Sequence, residues 1–197
     1  MTRILRITGQ AGALPSDDAG WARDALREGH GADAVRAFLG YDDGGALPDT
    51  ALPRALRLRT RRLPDLFWTA AGLLVASTPM RVAIEAFDPD LHRFWPIGLS
   101  DAAGVSHGGH HGLIVRAAAL AIREAGSLCH VEPADPRRDL PRHVTLIAHS
   151  ARIDPARLPG ANLWWDRALS QPYLMASEPL ALAMEALDSI PMRRCRD

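Results

Sequence analysis

The segment LLVASTPMRVAIEAFD, residues 73–88, returns one hundred positions later as YLMASEPLALAMEALD, residues 173–188. Half of the aligned positions are identical, among them Ala76/Ala176, Ser77/Ser177, Pro79/Pro179, Glu85/Glu185 and Asp88/Asp188. Each copy opens on a short apolar run suited to a buried strand, then a serine with a proline two residues on. A serine there accepts hydrogen bonds from the orphan amides of a first helical turn, and proline is tolerated in that turn, where its missing amide costs nothing. In the first copy Met80, Ala83, Ile84 and Phe87 follow the i, i+3, i+4, i+7 spacing of one helical face, as Leu180, Ala183, Met184 and Leu187 do in the second. Strands expected at 93–97 and 192–195 complete two related strand–helix–strand units, 73–97 and 173–196, the first return strand lying beside the strand before its helix. This pattern predicts an α+β domain with an internal pseudo-repeat and a mostly antiparallel sheet.

Around the two copies, residues 3–8 alternate polar and apolar as an opening strand does, and 17–28 and 32–39 read as short helices. Residues 42–53 carry the acidic, glycine and proline punctuation of a loop. Further strands are expected at 112–115, 127–131 and 144–148, the last two separated by a proline- and arginine-rich loop at 133–142. Residues 162–166 and 173–175 read as a hairpin. The chain thus divides into 1–51, a strand with short helices, and 52–197, which holds both copies, the whole forming one compact domain.

A chain of 197 residues buries a full core without staples. Its 23 basic residues, all arginine, balance 23 acidic ones, so it shows no electrostatic footprint for nucleic acid or an anionic membrane. Cys129 and Cys195 form no motif, which fits a reducing compartment. Neither a signal-peptide run nor a membrane-length apolar window occurs, and the expectation is a soluble, cytoplasmic protein. No phosphate loop, dinucleotide fingerprint or metalloprotease helix suggests a cofactor.

Several polar features need weighing. Glu85 and Glu185, at matched positions, would make an acid–base pair if they converged, but both lie opposite the apolar helical face, and Arg81 stands four residues before Glu85. Ser77 and Ser177 lack the elbow of a nucleophile and read as helix caps. In SHGGHHG, residues 106–112, His107, His110 and His111 offer imidazoles for zinc, copper or nickel, but their spacing matches no helix-borne ligand pair, and the run reads as an exposed, flexible loop. Trp164 and Trp165 would face opposite sides of a strand, one in the core and the other either an exposed anchor for a partner or packed against another element of the fold. Trp68 and Trp95 read as core. The arginine run at 52–62 reads as a solvated strand face.

From LPDLFW onward the chain resembles the immunity proteins of bacterial polymorphic toxin systems, specifically immunity family eleven. The resemblance spans about residues 52–196 and rests on Pro64-Asp65-Leu66-Phe67, the apolar strand ending in Ser77, Glu85, the segment 144–154, Leu158-Pro159-Gly160-Ala161, Leu163-Trp164, and the second capped helix with Ser177 and Glu185. The chain departs from that pattern at His110-His111-Gly112, where an aromatic-led strand is expected. The resemblance implies a non-enzymatic cytoplasmic protein that binds and neutralises a cognate toxin encoded nearby. Alternatives are a metal-dependent hydrolase using His107, His110 and His111, or an interaction module that forms a homo-oligomer.

Overall fold

The computed structural model describes residues 2–5, 52–58, 63–69, 73–127, 129–132, 143–146, 151–167, 174–187 and 192–194. The helices expected at 17–28 and 32–39, most of the 42–53 loop, the 133–142 loop and Asp188 lie outside them. The fold is α+β, with two helices among the described residues and sheets that are mostly antiparallel.

In chain order the strands begin with β1 (Thr2–Leu5), β2 (Ala55–Arg57), β3 (Leu66–Trp68) and β4 (Leu74–Ser77). Helix α1 (Thr78–Phe87) follows, then β5 (Arg93–Pro96), β6 (Gly98–Ser100), β7 (Ser106–His107) and β8 (His110–Ile114). Short strands β9 (Ala118–Ala119) and β10 (Ile122–Arg123) precede the pair β11 (Cys129–Glu132) and β12 (His143–Leu146). The chain continues through β13 (Arg152–Ile153), β14 (Leu163–Asp166), β15 (Leu174–Ser177), α2 (Glu178–Glu185) and β16 (Met192–Arg194).

Two larger sheets carry the helices. The first has the order β3-β4-β8-β5, and the second β16-β1-β15-β14-β9. Their hairpins have corresponding registers: Leu66, Phe67 and Trp68 face Ala76, Val75 and Leu74, while Leu163, Trp164 and Trp165 face Ala176, Met175 and Leu174. The return strands correct the expected arrangement. β5 does not lie beside β4, because β8 inserts between them, antiparallel to both. In the second sheet β1 takes the corresponding place, antiparallel to β15 and β16. The segment 1–51 therefore contributes a strand to the sheet of the second copy rather than standing apart from it.

Alternation along the strands builds the core. Leu66, Trp68, Leu74 and Ala76 point to one side of the first sheet and join Leu163, Trp165, Leu174 and Ala176 from the second. Met80 and Ile84 of α1 and Leu180, Ala181 and Met184 of α2 complete this central cluster. Leu187, 39% exposed, lies beyond α2, which ends at Glu185 before the i+7 position is reached, and Ala181 is the further buried residue of the helix. Residues of opposite parity face outward. Phe67 and Val75 pack with Trp95, Leu56 and Leu99 beneath the small sheet β2-β6-β7. Trp164 and Met175 pack with Ile122 and Ile153 beneath the pair β10-β13. Each large sheet is thus covered on both faces, and truncating a buried Leu, Ile or Met to Ala in such layers costs about 2–5 kcal/mol.

Candidate functional site

The serine that ends each hairpin strand is a helix cap with a second task. Ser77 Oγ accepts the Met80 N–H at 3.3 Å and donates to the Asp65 carboxylate, while the Ser77 N–H donates to the Asp65 carbonyl at 2.8 Å. Ser177 Oγ accepts the Leu180 N–H at 3.5 Å and donates to Asn162 Oδ1 at 2.7 Å, and its N–H donates to the Asn162 carbonyl at 2.8 Å. Asp65 and Asn162 therefore hold corresponding posts at the head of β3 and β14. Both hydroxyl protons are committed to these bonds, so neither serine is poised as a nucleophile.

Asp88 caps the C-terminus of α1 and reaches much further. Its carboxylate accepts the Asn162 N–H at 2.8 and 3.0 Å, the Asn162 side-chain amide at 3.1 Å and the Leu163 N–H at 2.8 Å. The same amide donates to the Phe87 carbonyl at 3.0 Å. One turn on, His92 is fully buried against Asp88, with Nε2 at 3.1 Å from Oδ2. Nδ1 of His92 accepts the Arg116 N–H, which places the imidazole proton on Nε2 and makes it the donor to Asp88. Burial opposes ionisation of Asp88, but the bonds from Asn162, His92 and Leu163 outweigh it and hold the carboxyl below its ordinary range. For His92, burial prevails over the attraction of Asp88, and the imidazole stays neutral to lower pH than a free one.

Other buried carboxylates are also spent on backbone. Asp101 accepts the N–H groups of Ala103 and Val105 in the β6–β7 turn. Asp166 accepts those of Ala121 and Ile122, tying the second large sheet to β10. Both carboxylates hold the backbone in place.

The histidine run is not the exposed, flexible loop expected. His110 and His111 begin β8, the strand between β4 and β5, and are half-buried. His107 lies across from Leu99 in β7. His111 Nε2 stands 3.2 Å from Thr78 Oγ1, His110 Nδ1 stands 3.0 Å from the Gly108 carbonyl, and the His110 ring lies edge-on to Phe67. Burial, reinforced by the charge of Arg81, lowers the His111 pKa. The three imidazoles do not converge, and among the described residues no group of three or more His, Cys, Asp or Glu side chains is placed to hold a metal ion. Gly112, next in the strand, lies under the Trp95 indole: a Cβ there would meet the ring at 2.0 Å. Glycine is what allows a tryptophan to cover the strand at this point.

Trp164 and Trp165 do point to opposite faces, but both are buried, so neither is a free anchor. The covering pair β10-β13 encloses Trp164, and Trp165 meets Trp68 with ring centroids 5.5 Å apart. Trp68 and Trp95 are core residues, as expected. Glu85 pairs with Arg81 at 3.0 Å along the outer side of α1, and Glu185 is exposed on α2. Pro64 is half-buried just before Asp65. Of the arginine run, Arg54 and Arg57 are exposed, Arg57 bonds the Ala102 carbonyl, and 59–62 lie outside the described residues.

Sequence reasoning missed the Asp88–Asn162–His92 node. The only signal was Asp88-Pro89, which reads as a helix stop and says nothing about a partner far along the chain. No protein-family model matches the chain, and the search of curated proteins gives no match.

Proposed function

We propose that this chain is an immunity protein that binds and neutralises a cognate toxin in the cytoplasm of the producing cell, without catalysis of its own. The observation that carries the reading is what becomes of the motif's polar residues. Asp65, Ser77 and Ser177, with Asn162 beside the second copy, bond one another and the backbone, and the acidic Asp88 braces one unit against the other. Such side chains make a rigid frame whose outer surface is the working part, as an inhibitor requires. A stable complex of this kind buries on the order of 1,600 Å² in total and rests on a few anchor residues. With both Trp164 and Trp165 in the core, those anchors come from other residues.

Co-expression with the product of the neighbouring toxin gene tests the reading. The expected outcome is restored growth and a one-to-one complex on gel filtration. Toxicity that persists, with no complex formed, sinks it. Among the described residues His107, His110 and His111 form no group placed to hold a metal ion, so the hydrolase alternative draws no support from them.

A further inference from the structure

One corner of the molecule concentrates exposed guanidinium groups. Arg123 of β10 and Arg152 of β13 stand directly across from one another in the antiparallel pair, and Arg157 lies in the 3-10 turn Pro155–Arg157 just beyond. Asp154 sits among them: Arg123 Nη2 approaches its Oδ1 at 3.1 Å and Arg157 Nε its Oδ2 at 3.5 Å. The Asp154 side chain is mostly covered, at 16% exposure, whereas those of Arg123 and Arg157 are 56% and 66% exposed. Arg152 is exposed as well, and its stem crosses Gly126, where an added Cβ would come within 2.7 Å of Cδ. Among the described acids nearby, Glu124 is half-buried and already engaged, and Asp166 is buried and holds the Ala121 and Ile122 N–H groups.

Two large exposed apolar side chains flank these arginines along the chain. Leu120, 55% exposed, lies two residues before β10, and Leu158, 39% exposed, follows the 3-10 turn directly. The corner is firmly built. The Asp154 N–H donates to the Ala121 carbonyl, the Arg152 N–H to Ser127 Oγ, and Asp166 fixes the start of β10. The arginines therefore project from a braced platform.

We propose that this corner, with Arg123, Arg152 and Arg157 around Asp154 and Leu120 and Leu158 flanking them along the chain, is a docking surface for an acidic face of a partner protein. Arg123 and Arg157 share the one carboxylate of Asp154 and Arg152 stands across from Arg123, which leaves positive charge to be matched, and arginine forks bind carboxylates bidentately. The flanking leucines favour a protein over a nucleic acid, since arginine beside exposed apolar groups marks protein interfaces, and the net-neutral chain offers no broader basic field. In naming the partner face as the toxin's, the inference rests on the function proposed above.

The test uses a glutamate-rich peptide, a DNA duplex of equal charge, and the neighbouring toxin, each titrated into the full chain. The variants are R123E/R152E/R157E and R123Q/R152Q/R157Q, with thermal melts confirming that they fold. Binding of the peptide, weakened on the order of tenfold by charge reversal and by raised salt, is expected. The Gln variant falls between, and the toxin complex weakens in the same order. A peptide that does not bind, binds the variants equally, or is outcompeted by the duplex overturns the assignment. A toxin that fails to bind the unaltered chain while the peptide result holds sinks the immunity reading and leaves the acidic-partner surface standing. A toxin complex indifferent to both variants removes the toxin as that partner.

Discussion

The Asp88 carboxylate at the end of α1 accepts the N–H of Asn162, a residue 74 positions later at the head of β14, at 2.8 Å. Asn162 in turn accepts the Ser177 hydroxyl through Oδ1, so one side chain connects the cap of α2 to the end of α1. The two sheets are held together by this polar link as well as by the shared apolar core.

Replacing Asp88 by Ala is expected to destabilise the fold by about 3 kcal/mol, because it strands buried backbone donors and the His92 Nε2–H. Asn162→Ala costs less, about 2 kcal/mol, since its backbone N–H keeps its acceptor. Urea denaturation of both single variants and the double variant measures the coupling, expected to be above about 1 kcal/mol. Additive losses would show that the two side chains act independently.

Acid should weaken the fold in two steps of the same sign. His92 and His111 have lowered folded-state pKa values, so the unfolded chain takes up protons first. Their stabilisation is full above the unfolded value of about 6.5 and declines as pH falls from there towards the folded values. Asp88 is depressed too, and its share persists until pH drops below about 3.9, then disappears through the folded value. Chemical denaturation followed from neutral to mildly acid pH should show a slope that His92→Gln makes shallower. An unchanged slope in that variant would assign the first step elsewhere.

Gly112→Ala should cost about 3 kcal/mol, since the new methyl falls inside the Trp95 ring and a packed, hydrogen-bonded indole has little room to yield. Pairing it with Trp95→Leu should recover part of the loss relative to Trp95→Leu alone. Thermal melts of the three variants decide the matter, and a neutral Gly112→Ala would contradict the described packing.

Glu85→Gln and Glu185→Gln should each change stability by no more than about 0.5 kcal/mol and leave toxin neutralisation intact. Ser77→Ala and Ser177→Ala should cost about 1 kcal/mol or more apiece, as lost caps do, with Ser77 the costlier because its hydroxyl donates to a carboxylate where that of Ser177 donates to an amide oxygen. Growth rescue abolished by either Gln variant would restore the twin glutamates as functional groups.

Much of this architecture was legible because it depends on short-range pattern. The capped helices announce themselves through Ser-x-Pro and apolar residues at helical spacing, and Val75 and Ala76 through a run of buried strand. What could not be read was placement across long separations. Nothing near Arg93 says that β8 will intervene before β4, and nothing near Thr2 says that it will face Ser177. The tryptophan pair shows the same limit: alternation correctly sends Trp164 and Trp165 to opposite faces, but only the covering β10-β13 pair decides that both are buried. The histidines misled because glycines on either side of His110-His111 suggest a loop, whereas Gly112 is there to admit Trp95.

The position of β1 also sets an order of assembly during synthesis. All four strands of the first large sheet lie between residues 66 and 114, so the ribosome delivers that sheet in one continuous stretch. The second waits. Thr2–Leu5 precedes the whole of the first sheet in the chain yet finds its neighbours only when Leu174–Ser177 and Met192–Arg194 have been made. The first sheet is therefore complete in sequence while the second still lacks the partners it needs to close.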